Sequence, residues 1–401
     1  MSIYIFPYID DPEILYRSMR LFSVKKHYDW LIVGAGFTGS VLAERLASQA
    51  DQRVLLIDKR SHLAGNAHDR LNESGHLFHQ YGPHIFHTNS HQIAEYLGRF
   101  TDWRTYEHRV VGLIEDRLVP IPFNLTSLEV LFPIAEVEKV RTLLIDSYGF
   151  GQKVPILKMR ESHHSAIQDL AEYIYQKVFY SYTTKQWGLA PEQLSPSVTA
   201  RVPVNISYDD RYFADSFQKM PLDGFTRLFE RMTSHSNITV ALGVDYEQAV
   251  SEASFRNAVY TGAVDDFFSY EFGPLPYRSL RFDFNTLHQS RHQPVGTVNY
   301  PNDRAFTRIT EMAHLTGRWN ETTTLTVEYP QPHQPGVTTP YYPVPQDDNL
   351  SLHRRYIEFA AREAPNIQFA GRLGDYRYYN MDQAVGHALA IFTKSMAEHS
   401  R

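Results

Sequence analysis

The stretch from Asp29 to Asp58 constrains the fold more than any other part of the chain. Asp29-Trp30-Leu31-Ile32-Val33 is an apolar run that stops at glycine, and Phe37 to Ser48 then carries Val41, Leu42 and Leu46 at helical spacing. Arg53-Val54-Leu55-Leu56-Ile57-Asp58 reads as a second, buried strand. A strand, a crossover helix and a returning strand form a βαβ unit, whose two strands must lie parallel. This predicts an α/β fold with a Rossmann-like domain at its N-terminal side.

The turn inside the unit is Gly34-Ala35-Gly36-Phe37-Thr38-Gly39, a G-x-G-x-x-G, and Asp58 closes the following strand. Such a glycine pattern alone is a weak signal, but between a strand and a helix, with an acidic residue at the next strand end, it is a dinucleotide fingerprint. Glycines allow the tight turn and the close approach of a pyrophosphate, whose charge is met by free N–H groups at the positive end of the helix dipole. Asp58 is placed to accept both ribose hydroxyls of an adenosine, and its charge disfavours a 2′-phosphate, so NADP is not expected as the resident cofactor. Ser40 stands where a P-loop needs lysine. The loop Lys59-Arg60-Ser61-His62-Leu63-Ala64-Gly65-Asn66-Ala67 is basic and glycine-containing. It suits a longer dinucleotide, with Lys59, Gly65 and Asn66 along it, which favours FAD over NAD.

With 401 residues the chain exceeds one hydrophobic core, so several domains are expected. The expected partition is residues 1–27 as an N-terminal extension and 28–110, 220–270 and 365–401 as a discontinuous FAD-binding domain. Residues 126–200 form a helical domain, with Val137, Val140, Leu143 and Leu144 on one apolar face. Residues 111–125, 201–219 and 271–364 form an antiparallel sheet that carries the substrate, with Thr322 to Tyr329 as an alternating strand. A formal charge of -6 argues against a general nucleic-acid or anionic-membrane binder. The absence of cysteine excludes disulfides, thiolate metal sites and thiol nucleophiles, and fits a cytoplasmic setting. No apolar run approaches the roughly 18 residues of a membrane span, and no secretory signal layout is present.

The fingerprint, together with Tyr81-Gly82-Pro83-His84-Ile85-Phe86-His87-Thr88-Asn89, resembles the UDP-galactopyranose mutase family. Further blocks agree: Leu118 to Asn124, Tyr182-Thr183-Thr184-Lys185-Gln186-Trp187-Gly188, Arg201-Val202-Pro203, Asp210 to Phe213, Phe306-Thr307-Arg308, Pro340 to Val344, and Gly371-Arg372 through Gln383. The resemblance runs from about Tyr28 to the C-terminus. Ala64, His68, Ala263 and Asn380 depart from residues common in bacterial members. It implies interconversion of UDP-galactopyranose and UDP-galactofuranose, in which reduced FAD attacks the anomeric carbon with no net redox change. An external reductant such as NAD(P)H or a reductase, and a homodimer, are implied with it.

The same resemblance assigns residues. Arg201 and Arg308 would hold the diphosphate, a task that suits the bidentate geometry of guanidinium. Tyr342 and Tyr378 would contact phosphate; Tyr182 and Tyr212 would line the sugar–uridine cleft; Thr183 and Trp187 would belong to a mobile substrate loop. Asn124, Arg278, Asn299 and Asn380 join them on the substrate side. His84 and Ile85 would face the flavin, His84 making a polar contact. Arg372 and the start of the helix near Met381 would face the flavin pyrimidine, where positive potential favours an anionic reduced flavin. Thr38, Thr261, Gly262, Tyr379, Asp382 and Gln383 complete the cofactor side. No metal is expected, because His84 and His87 lack further ligands at suitable spacing. Two other readings stand beside the mutase: an oxidoreductase of the amine-oxidase type, sharing the fingerprint, and a nucleotide-binding protein without catalysis.

Overall fold

Alternation of side chains in the two strands of the βαβ unit sends apolar residues to both faces. Trp30, Ile32, Val54 and Leu56 join one buried cluster, while Tyr28, Leu31, Leu55 and Ile57 join another. A strand buried on both sides needs a layer on each face, which is what a doubly wound sheet supplies. The computed structural model, which describes residues 26–194, 203–302 and 304–399, meets that need with five parallel strands. Their order is Ile238–Leu242, Val54–Asp58, His27–Val33, Ser254–Tyr260 and Ile367–Phe369. The first strand starts at His27, which pairs with Ser254, so it takes in one residue, His27, that the expected partition put in the extension.

Helix Phe37–Ala50 covers one face through Val41, Leu42 and Leu46, and the C-terminal helix Met381–His399 packs on it through Val385, Ala388 and Ile391. Helix Tyr246–Glu252 covers the other face, where Val244 and Ala249 meet Leu31 and Leu55. Fully buried aliphatic side chains such as Leu31, Ile32, Leu56 and Ile57 each contribute about 1.5–3 kcal/mol of transfer free energy.

A second sheet has seven strands, in the order Tyr342–Pro343, Tyr277–Leu287, Thr323–Pro332, Arg308–Glu311, Thr297–Asn299, Val110–Ile114 and Arg117–Ile121. The sequence reading expected it to be antiparallel. All neighbours are antiparallel except one pair, Thr297–Asn299 beside Val110–Ile114, which runs parallel. That pair joins segments far apart in sequence, so no hairpin dictates its direction.

The helical region has its own core, in which Leu128, Val137, Val140 and Leu144 meet Ile167, Leu170 and Ile174. Leu143 is only partly buried against it. Helix Ser165–Ile174 runs into a π-helical turn, Tyr175–Tyr180, and then into the short helix Ser181–Trp187, ended by Gly188 at φ 70°. Widened π turns inside helices occur often at functional sites. Among the described residues no helix is long and apolar enough to cross a membrane.

Candidate active site

Backbone approach builds one end of the site. Gly34 has φ +102°, and a Cβ there would lie 2.0 Å from Thr261 Oγ1, which itself donates to Val33 O at 2.8 Å. A Cβ on Gly39 would lie 1.9 Å from the Gly34 carbonyl oxygen, so the helix packs on the strand only because that position is glycine. Gly36 and Gly65 face each other, a Cβ on Gly65 falling 2.9 Å from Gly36 Cα. Gly36 is the N-cap of helix Phe37–Ala50 and no side chain caps that helix, so first-turn N–H groups remain for an anionic ligand.

Asp58 lies close by, its Oδ2 accepting from Ala35 N at 2.9 Å and its Oδ1 from Arg60 N at 2.9 Å. Each oxygen keeps a second lone pair, enough for two ribose hydroxyls. Asn66 Oδ1 accepts from Arg60 Nη1, which fixes the loop after Asp58. An uncapped helix start, glycines that leave no room for side chains and a carboxylate at the strand end fit an adenine dinucleotide.

A cleft of about 680 Å³ lies beside this end, lined by residues of the seven-stranded sheet and the helical region and by Arg372, whose neighbour Gly371 packs on Thr38, a Cβ there falling 3.0 Å from Thr38 Oγ1. His84, Ile85, Arg372 and Met381 line it on the dinucleotide side, and Tyr182, Trp187, Asn299 and Arg308 on the other. The register of the seven-stranded sheet explains the second group. Gly112, Asn299, Arg308 and Glu328 are successive partners across four adjacent strands, so the side chains of Asn299, Arg308 and Glu328 share one face, which Gly112 leaves open at its end.

Arg308 donates through Nε at 2.9 Å and Nη2 at 2.7 Å to Oε2 of Glu328, whose side chain is 1% exposed. Burial works against the Arg308 charge, but the adjoining carboxylate outweighs it and holds the guanidinium protonated well above the ordinary arginine value. Two of its five N–H groups are engaged there, which leaves donors for a ligand.

Aromatic side chains form the neighbouring wall. Tyr342 and Tyr378 stack with centroids 5.0 Å apart, and Trp187 lies 6.2 and 6.0 Å from them. Arg372 sits 5.5 Å from both tyrosine rings and donates to Tyr379 O at 2.6 Å. Burial pushes the Tyr182 and Tyr342 hydroxyls far above the usual phenol range, so both are neutral donors. His84 Nδ1 lies 2.9 Å from Gly82 O, and the His84 N–H donates to His79 Nδ1 at 3.0 Å. Burial, aided by His79, lowers His84 to about 3, so it is a neutral imidazole whose Nε2 is an acceptor.

A family model described as UDP-galactopyranose mutase matches residues 177–378, and one for an NAD(P)-binding Rossmann-like domain matches residues 32–100. A UDP-galactopyranose mutase of Mycoplasma pneumoniae is 32% identical over 394 residues, covering 93% of this chain and 98% of that protein. The chain belongs to the UDP-galactopyranose mutase family. It is therefore an isomerase of the mutase type. A dTDP-fucopyranose mutase of Escherichia coli is 33% identical over 90% of this chain and 96% of that protein. Among solved structures, a reduced UDP-galactopyranose mutase superposes with a TM-score of 0.69 at 16% identity, over 92% of this chain and 96% of that one. A putrescine oxidase reaches a TM-score of 0.56 at 11% identity, which shows the same fold.

Seen as a UDP-galactopyranose mutase family member, the chain gathers most of its sequence-predicted substrate residues: Tyr182, Thr183, Trp187, Tyr212, Asn299, Arg308, Tyr342, Tyr378 and Asn380 all line the cleft. Two do not. Asn124 is buried and caps helix Leu125–Leu131, its Oδ1 accepting from Ser127 N at 3.0 Å. Arg278 donates to the carbonyls of Gln186 and Lys185, so it supports the Ser181–Trp187 helix from behind. Arg201 lies outside the described residues.

On the cofactor side Thr38 and Gly39 are buried in the helix start and Lys59 is exposed on the loop. Gly262 packs on the Tyr260 ring, and Tyr379 offers its carbonyl to Arg372. Asp382 accepts from Thr88 Oγ1 at 3.0 Å, while Gln383 Oε1 accepts from Asn380 N at 2.9 Å, so both organise the start of the last helix.

Sequence reasoning missed Glu328 and the pair His87–Asp215. Glu328 sits in a strand buried at every position from Thr323 to Glu328, and a carboxylate in such a run calls for a buried cation; that signal was present. His87 Nδ1 lies 2.8 Å from Asp215 Oδ2, and its ring stacks 3.7 Å from Phe213. Nothing in the sequence joins residues so far apart.

Proposed function

We propose that this chain interconverts UDP-galactopyranose and UDP-galactofuranose, with FAD in the dinucleotide site. The observation that carries this reading is one cleft that joins His84 and Arg372, beside which Gly371 packs on Thr38 of the fingerprint helix, to the row Asn299–Arg308–Glu328. When bound and reduced, FAD supplies the electron pair that displaces UDP from the anomeric carbon, with no net redox change. The protein's part is to hold, orient and exclude water. Arg308, fixed by Glu328, presents its remaining N–H groups to the diphosphate, and Tyr182 and Tyr342 add neutral hydroxyl donors. Arg201 is the proposed second guanidinium. Trp187, on the helix above the cleft, closes the site against solvent. Neutral His84 serves as a hydrogen-bond acceptor and is no proton donor at neutral pH. Reduction by NAD(P)H or a reductase, a cytoplasmic homodimer and a role in cell-surface polysaccharide synthesis belong to the same reading and rest on the family resemblance.

Relatives of nearly equal identity carry the names of UDP-galactopyranose and dTDP-fucopyranose mutases, so the substrate needs a direct test. Dithionite-reduced protein is mixed anaerobically with UDP-galactofuranose, and separately with dTDP-fucopyranose, and the sugar isomers are separated by chromatography. UDP-galactopyranose should accumulate while the flavin stays reduced. Stoichiometric flavin oxidation without isomer, or turnover of the dTDP-sugar alone, would sink the proposal.

A further inference from the structure

The turn that carries Arg372 is closed by a carboxylate. It follows strand Ile367–Phe369, at the carboxyl end of the parallel sheet, where doubly wound folds hold their ligands. Gly371, at φ +83°, packs on Thr38 of the fingerprint helix, and Arg372 beside it lines the cleft. Asp375 closes the one-turn helix Gly371–Gly374 on itself: its N–H donates to Gly371 O at 2.8 Å, and its Oδ2 accepts from Gly371 N at 3.0 Å. The same Oδ2 lies 3.0 Å from Nδ1 of His387, on helix Met381–His399. One oxygen thus ties the turn under Arg372 to a titratable ring on the last helix. Neither Asp375 nor His387 lines the cleft, and neither has a part in the chemistry proposed above.

Other charged and titratable groups face the pair. Arg377 opposes a proton on His387, and the Tyr379 ring stands 5.5 Å from the imidazole, its hydroxyl kept neutral by burial and by Asp375. His353, whose Nε2 lies 2.9 Å from Gly374 O, is lowered by burial and is uncharged at neutral pH. Asp375 prevails over burial and Arg377, so His387 titrates above its ordinary 6.5. While His387 keeps that proton, imidazolium and carboxylate cancel, and Arg372 is the charge the turn presents to the cleft. Once the proton is gone, an unpaired carboxylate stands one turn from Arg372 and offsets part of its potential. We propose that Asp375 and His387 are a positioning pair that acts through Arg372: the proton held between them sets how readily FAD beside Arg372 is reduced, and reduction becomes harder as that proton leaves. The inference rests on FAD occupying the dinucleotide site with its redox-active end at Arg372.

Midpoint potentials of the holoprotein, measured between about pH 6.5 and 9 by anaerobic dithionite titration against a reference dye, test this for the wild type, Asp375→Asn and His387→Gln. Dithionite and solvent supply the two electrons and one proton that convert FAD to the anionic FADH−. Asp375→Asn keeps an acceptor for Gly371 N and drops the charge, whereas His387→Gln leaves the carboxylate without its cation at every pH. At the acid end the wild type should match Asp375→Asn and lie above His387→Gln; at the alkaline end it should match His387→Gln and lie below Asp375→Asn. Each gap should be about tenfold in the ratio of reduced to oxidised flavin, or about 30 mV for a two-electron couple. Titrations elsewhere are common to the three proteins and cancel in the differences. A pair that served only folding would move melting temperature and flavin content but would not carry the wild type from one variant's curve to the other's. Three parallel curves overturn the inference, as does loss of flavin from both variants; if one variant loses flavin, the other is still read against the wild type. If flavin is held and the sugar isomer forms while the curves stay parallel, this inference alone falls. Should the wild-type protein hold no flavin, the FAD reading falls and takes this one with it.

Discussion

The two ends of the site are built from different materials. At the dinucleotide end the backbone does the work: Gly39 and Gly65 bring main chain against main chain at distances no Cβ would tolerate, and Gly34 comes as close to the Thr261 side chain. At the sugar-nucleotide end the work falls to side chains, carried on a sheet row, a loop and a helix that come from distant parts of the sequence. Close backbone packing is all-or-none, because a clash there displaces the strand and helix themselves. Side chains at the cleft can be removed one at a time while their supports stand.

The sharpest test of that contrast is Gly39→Ala. Its methyl would fall 1.9 Å from the Gly34 carbonyl oxygen, so helix and strand must separate. A cost of about 4 kcal/mol or more is expected, at the severe end for a single change, with flavin lost together with the fold. Flavin-to-protein ratio and melting temperature measure it. A stable, flavin-loaded Gly39→Ala protein would show that the two ends do not differ in this way.

Arg308→Ala is the matching change at the other end. It should leave flavin content untouched and reduce kcat/KM by about 10²–10³-fold, the loss usual for an oriented donor to a developing negative charge. Glu328→Gln should have the same sign and a smaller size, because it frees the guanidinium from its fixed edge without removing it. Loss of flavin in either variant would erase the separation between the ends.

How much of this could be read beforehand follows the same division. The dinucleotide end lies within one continuous stretch, Asp29 to Asp58, where glycine spacing and apolar alternation report local geometry, and the fold class followed from it. The cleft depends on register. Arg308 and Glu328 oppose each other only because strands Arg308–Glu311 and Thr323–Pro332 pair as they do, and no local pattern reports that. The parallel pairing of Thr297–Asn299 with Val110–Ile114 escaped for the same reason. Arg278 was expected on the substrate side and stands instead behind the Ser181–Trp187 helix, because its neighbours are carbonyls that sequence does not distinguish.

Acidity offers a weaker probe of the boundary between the ends. Burial lowers His68, His84 and His108 to about 3 and His79 to about 4, from an ordinary 6.5. Below 6.5 the unfolded chain takes up protons that the folded protein refuses. The stability these groups supply is therefore complete above 6.5 and drains away as the pH falls towards 3. Buried Asp69 and Asp265, whose carboxyls burial raises, oppose the trend, as does His387, raised by Asp375. Glu311, lowered to about 2, adds to acid loss only below its ordinary 4.5. The melting temperature should thus fall between pH 6.5 and 4.5. His79→Asn, which keeps an acceptor for the His84 N–H, should flatten the slope; an unchanged slope would remove His79 from the account.

The smallest effect is expected at Asn124, which the family resemblance puts on the substrate side and the fold puts under a helix. Its Oδ1 accepts from Ser127 N, Ser127 Oγ accepts from Asn124 N at 3.0 Å, and the side chain also donates to Asp209 O at 3.3 Å. The two reciprocal bonds form a capping box, which commits the side chain to the helix start. Asn124→Ala should cost about 0.5–2 kcal/mol of stability, the usual loss for a removed N-cap, and leave KM for the UDP-sugar unchanged. Asn124→Asp, which keeps the acceptor, should recover most of the melting temperature. Were KM to rise with the melting temperature unmoved, Asn124 would belong to the cleft after all, and the boundary between folding residues and binding residues would have to be drawn one helix deeper.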